Sequence, residues 1–147
     1  MDFLKKLLTT SIILPPMRKG RSGILCECLL NTKKPNVTFT YESVLFNASC
    51  VNLFPNCQYV TVSIDVENMR LFIEPTVEHD VDGLKFAYVR NGRNVPRICP
   101  TKIFCRKLFE CLEWNCYAKY RILAIYQEFG DRKIITFNLD ECQKLQS

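Results

Sequence analysis

Between Gly83 and Phe109 the chain carries Lys85, Arg90, Arg93, Arg97, Lys102, Arg106 and Lys107 and not one Asp or Glu. Guanidinium and ammonium groups clustered in this way hold phosphates, and they release the counterions of a polyanion when they do so. The preceding stretch has the opposite balance, with Asp65, Glu67, Glu74, Glu78, Asp80 and Asp82 against Arg70 alone. The formal charge of +5 is therefore concentrated along the sequence. A cationic surface of this kind steers polyanions toward itself.

The other reactive side chains do not assemble into a site. Of nine cysteines, Cys26 and Cys28 are the closest pair, whereas structural zinc sites use two close pairs with typically about two to four residues between ligands. On a helix Cys105 and Cys111 stand roughly 240° apart, at about 100° per residue, and cannot share an ion. The single histidine, His79, sits beside Asp80; one His-Asp dipeptide supplies neither a metal phosphohydrolase nor a Cys/His nucleophile. Five glycines form no phosphate-cradling loop. No catalytic residue, metal or cofactor is assigned, and the chain reads as a non-enzyme. Trp114, Tyr117 and Tyr120 are either stacking platforms for a single strand or a seal between a helix end and a sheet.

At 147 residues the chain suits one domain with a core of its own. Pro15, Pro16, Gly20 and Gly23 interrupt the N-terminal part, so residues 1–34 read as an arm and 35–147 as the domain. Within the arm, Met1–Leu14 can form a short amphipathic helix with Phe3, Leu4, Leu7 and Leu8 on one side. Its apolar stretch is too short to span a bilayer, and no small-residue cleavage site follows it. Two sequons, Asn36-Val-Thr and Asn47-Ala-Ser, fit secretion, but without a leader the expected setting is cytoplasmic, with reduced cysteines acting as small buried hydrophobes.

The elements that must position the cations follow from periodicity. Ile24–Leu30 and Val37–Tyr41 read as strands, and Phe46–Phe54 as a short helix that Asn47 is placed to cap and that Pro55 and Asn56 end. Tyr59–Val66 and Met69–Glu74 form a β-hairpin that Pro75 stops. Val77–Gly83 is an acidic loop, Leu84–Val89 a strand and Arg90–Arg97 a loop. Pro100-Thr101 opens a helix that runs to about Trp114, with Ile103, Phe104, Leu108, Cys111 and Leu112 as its buried stripe. Ala118–Glu128 and Lys133–Leu139 form a second hairpin across Gly130-Asp131, and Asp140–Leu145 ends as a helical turn. The fold predicted is α+β: an antiparallel sheet of two β-hairpins plus added strands, with the helix at about 101–114 packed on it.

Four segments carry a family resemblance: Phe46-Asn-Ala-Ser-Cys-Val-Asn-Leu-Phe-Pro-Asn-Cys-Gln-Tyr-Val, Met69-Arg-Leu-Phe-Ile-Glu-Pro, Ile103-Phe-Cys-Arg-Lys-Leu-Phe-Glu, and Trp114-Asn with Lys119-Tyr-Arg-Ile-Leu. Through them Pro35–Glu141 resembles small uncharacterised proteins of Firmicutes from integrative conjugative elements and prophages, some of them labelled integrase. The first two segments are also similar to the hairpin pattern of AbrB-like regulators. The resemblance implies a mobile-element origin and no particular reaction. A tyrosine recombinase needs a catalytic Tyr with a set of Arg and His on a larger domain, which this chain lacks.

The function expected is nucleic-acid binding or regulation in a bacterial mobile element or phage. Arg90, Arg93, Arg97, Lys102, Arg106 and Lys107 would contact phosphates, with DNA preferred over RNA. The alternative is a protein–protein module that inhibits a host protein such as a defence nuclease. Neither reading needs a membrane.

Overall fold

The structure, a computed structural model, describes residues 33–145; the helix expected at Met1–Leu14, the strand at Ile24–Leu30 and the pair Cys26 and Cys28 lie outside the described residues. The described chain runs β1 (Asn36–Phe39), β2 (Ser43–Phe46), α1 (Ala48–Val51), β3 (Tyr59–Asp65), β4 (Arg70–Thr76), β5 (Gly83–Lys85), β6 (Ala87–Arg90), β7 (Arg93–Pro96), β8 (Cys99–Pro100), α2 (Lys102–Leu112), β9 (Lys119–Phe129), β10 (Arg132–Asn138), a single 3-10 turn (Leu139–Glu141) and β11 (Gln143–Leu145). Strands follow in the order β5-β3-β4-β10-β9-β1-β2-β8, with β11 also on β9, while β6 and β7 pair only with each other. Every pairing is antiparallel. The result is a nearly closed, barrel-like sheet with one main helix, an α+β fold.

The two expected hairpins are its spine. β3 and β4 pair from Tyr59↔Thr76 to Asp65↔Arg70, and β9 and β10 pair across Gly130-Asp131, where Gly130 takes φ +62°. Strand alternation points Val60, Val62, Ile64, Leu71, Ile73, Ile135 and Phe137 into one core. Phe46 joins them, edge-on to Phe86 at 5.6 Å between ring centroids. Asn47 caps α1 as expected: its Oδ1 accepts from Cys50 N at 3.0 Å.

Several boundaries differ from the expectation. Ser43–Phe46 is a strand, too short to show a period of two against the helix that follows. Pro75 does not end β4, which reaches Thr76; it lies beyond the residues that β4 shares with β10, where a missing N–H is tolerated. The strand expected at Leu84–Val89 is divided at Phe86, which is fully buried and whose N–H donates to Gln58 O at 3.0 Å. The tail makes a 3-10 turn and then a strand on β9, not a helical end.

The α2 stripe is also rotated. Phe104, Cys105, Leu108 and Phe109 are buried, whereas Ile103 and Cys111 are exposed. The buried arc is centred between Leu108 and Cys105, which leaves Ile103 about 170° and Cys111 about 90° away from it, at about 100° per residue. Beyond the helix, Trp114 stacks on Tyr120 with centroids 4.3 Å apart and planes at 11°. It also meets Phe109 edge-on at 5.1 Å. These aromatics seal the helix end against the sheet; Tyr117 alone of the three stays exposed.

Candidate nucleic-acid interface

The segment expected to be a loop, Arg90–Arg97, is the second half of a β-hairpin. Ala87↔Pro96, Tyr88↔Val95, Val89↔Asn94 and Arg90↔Arg93 are register partners. Asn91 and Gly92 turn the chain with φ +53° and +76°. Positive φ at both turn residues is the signature of a type I′ turn, whose twist matches that of the flanking strands. The Asn-Gly dipeptide between short apolar runs was the sequence signal for it. Asn94 and Pro96, beside the turn and among three arginines, imitate a loop and hid that signal.

Alternation divides the hairpin into two faces. Ala87 and Asn94 face the body and are buried. Tyr88, Arg90, Arg93 and Val95 share the opposite face, where Tyr88 is 40% exposed and both arginines are exposed. Tyr88 was not among the sequence candidates; only knowledge of the register places it beside the arginines.

The hairpin is clamped twice, by Asn94 one residue from the turn and by Arg97 at the base. Asn94 Nδ2 donates to the carbonyls of Val51 (3.1 Å), Phe54 (3.1 Å) and Cys57 (2.8 Å), and its Oδ1 accepts from Gln58 Nε2 at 3.0 Å. Arg97 Nη1 donates to Lys85 O at 3.1 Å, and Arg97 N to Phe86 O at 3.0 Å. One side-chain amide thus ties the loop after α1 to β7, and one guanidinium ties β5 to the strand exit.

The six sequence-predicted cations separate by role. Arg90 and Arg93 face each other at the tip and make no ion pair among the described residues. Arg97 serves the clamp. Arg106 pairs with Glu42 at 2.8 Å and lies over the Tyr41 ring at 5.1 Å, and Lys102 reaches the other oxygen of Glu42 at 4.0 Å. Lys107 is exposed on α2. The i, i+4 spacing of Lys102 and Arg106 does bring them to one helical face, but a carboxylate from the β1–β2 turn meets them there.

The Cys99 thiol lies beneath this clamp, within reach of Lys85 O at 3.5 Å and Arg97 O at 3.4 Å. Burial pushes the Cys99 thiol up to about 12, against a smaller opposing effect of Arg97, and pushes Cys105 up to about 11. Such groups stay protonated and are poor nucleophiles and metal ligands. Among the described residues no three of His, Cys, Asp and Glu are grouped to hold a metal ion, and no helix is long and apolar enough to cross a membrane. No protein-family model, curated protein or solved structure matches the chain.

Proposed function

We propose that the chain is a non-enzymatic nucleic-acid-binding protein of a bacterial mobile element or phage, and that the tip of the β6–β7 hairpin is its contact element. The observation that carries this reading is the register pair Arg90↔Arg93. Two guanidinium groups stand opposite each other on a solvated tip, on the same face as Tyr88, with the base of the hairpin fixed. Arg forks hold phosphates bidentately, an exposed aromatic offers a base a stacking surface, and a two-stranded ribbon fits a major groove. Lys102 and Arg106, already paired with Glu42, are secondary to this contact.

The test is fluorescence anisotropy with labelled duplex DNA, duplex RNA and single strands at rising salt. Wild type is expected to bind DNA with a steep salt dependence. Arg90→Glu/Arg93→Glu should lower the slope of log K against log salt by about 2, from about 0.9 per phosphate contact. Equal binding by the double variant, or none by wild type at low salt, would overturn the reading.

A protein partner is the second reading, favoured by the exposure of Val89 (56%) and Ile98 (62%) near the same hairpin. Exposed apolar side chains beside arginines suit an acidic protein surface. Binding to a purified partner that persists at high salt, and is lost in Val89→Ser but not in the arginine variant, would select it.

A further inference from the structure

The sheet has a second apolar face that the core does not use. Register places Ser63, Phe72, Thr136 and Ile125 in one row across β3, β4, β10 and β9, all pointing away from the core. Ile134 and Gln127 form the next row. Phe72 is 1% exposed and Ile134 0%, yet neither belongs to the core cluster. The immediate row neighbours of Phe72 are Ser63 and Thr136, too small to hide a phenyl ring. Thr136 Oγ1 and Gln127 Oε1, on the same face, are buried without a hydrogen-bond partner. Among the described residues no helix or strand packs on this face.

We propose that the outward face of β3-β4-β10-β9 is the docking surface for the N-terminal segment of the same chain, through the apolar side of Met1–Leu14. Thirty-two residues precede Lys33, enough chain to cover a face of four strands. Four strands present a face about 19 Å across, at roughly 4.8 Å per strand. Fourteen residues in a helix span about 21 Å, at 1.5 Å per residue. Phe3, Leu4, Leu7 and Leu8 at helical spacing give that stretch one apolar side. The chain enters β1 beside this sheet: Pro35 O accepts from Ala124 N at 2.9 Å, and Asn36 and Asn47 hold the Lys34 carbonyl.

The test uses the full chain with labelled isoleucine methyl groups and solution NMR. The expected result is intramolecular NOEs from the Ile134 and Ile125 methyls to side chains of Met1–Leu14. Both methyls should also be shielded from a soluble paramagnetic agent, unlike the exposed Ile98 and Ile103. A full-length Leu4→Ser/Leu7→Ser/Leu8→Ser variant should raise the paramagnetic relaxation of Ile134 at least threefold and leave the core residue Ile73 unchanged. If that variant does not fold, the wild-type NOEs decide. The proposal is overturned by NOEs that isotope filtering shows to be intermolecular, which would mean a second copy. It is equally overturned by NOEs only to residues 15–32, or by Ile134 relaxing as fast as Ile98 in wild type.

Discussion

Asn94→Asp tests whether one buried amide holds the hairpin to the body. The substitution keeps the shape and the acceptor toward Gln58, and it removes the donor that serves the carbonyls of Val51, Phe54 and Cys57. An amide has two N–H bonds, so three carbonyls share the equivalent of two full hydrogen bonds. Leaving two buried acceptors unsatisfied costs about 1–3 kcal/mol each, and a carboxylate facing them adds its own desolvation. The expected loss at neutral pH is about 3–5 kcal/mol, a large part of a typical stability of about 5–15 kcal/mol. At a urea m-value of about 2 kcal/mol/M this moves the midpoint down by roughly 2 M. Trp114, the single tryptophan, reports unfolding through its fluorescence.

The pH dependence gives the sign. Burial and three opposing carbonyl dipoles disfavour the charged form of the new side chain, and its protonated form can donate to one carbonyl, so its folded pKa lies above the unfolded value of about 3.9. Between those two values the folded state binds more protons. The variant's deficit relative to wild type should therefore shrink as pH falls through the folded pKa and level off below about 3.9. A midpoint within about 0.3 M of wild type at neutral pH would refute the reasoning. So would a deficit that grows on acidification.

Two further outcomes are expected. Alkylation near pH 8 with peptide mapping should label the exposed Cys111 and Cys116 before the buried Cys50, Cys99 and Cys105, which react only once urea is added; burial holds those three thiols well above the usual range, and early labelling of Cys99 would contradict its place in the core. Glu42→Gln should change stability by less than about 1 kcal/mol, as for any exposed pair, and should raise DNA affinity at physiological salt by less than twofold. A larger gain would mean that Lys102 and Arg106 belong to the contact surface, with Glu42 masking them.

The fold was legible in the sequence wherever a period persisted. Tyr59–Val66 against Met69–Glu74 alternates for long enough to fix both strands and their register, because a slip by one residue would turn Val62 and Ile73 to the wrong face. Asn47 was legible because a cap needs one side chain at one position. The short strands β2, β8 and β11 span two to four residues each, too few for a period to show, and the edge or end of the sheet holds them in place. The cationic site was half legible. Sequence gives the charge of Arg97, Lys102 and Arg106, but not the carbonyl of Lys85 or the carboxylate of Glu42 that engage them; those partners come from 12 and 64 residues away. The outward row of Phe72 and Ile134 escaped for a related reason. Buried residues on both faces of β4 and β10 read as a continuous apolar run, which does not say which face the core uses.

At Arg90 opposite Arg93 local structure works against itself. Like charges directly opposite in an antiparallel pair are destabilising, by under about 1 kcal/mol for charges about 5 Å apart in water. An arginine facing a glutamate or a threonine at the same positions would hold the turn better. Asn91 and Gly92 supply the I′ geometry whatever flanks them, so the turn does not require the pair. Nor does the body: Asn94 and Arg97 anchor the hairpin without using the side chains of Arg90 and Arg93. Conflicts between local preference and the rest of a fold concentrate at functional sites. An anion seated between the two guanidinium groups offsets their repulsion, and a clamped hairpin leaves only the two side chains, not the backbone, to be ordered at the moment of binding. The charge run along the sequence thus reduces to a two-arginine fork on a rigid ribbon, which is why the hairpin tip and not the helix face carries the proposed function.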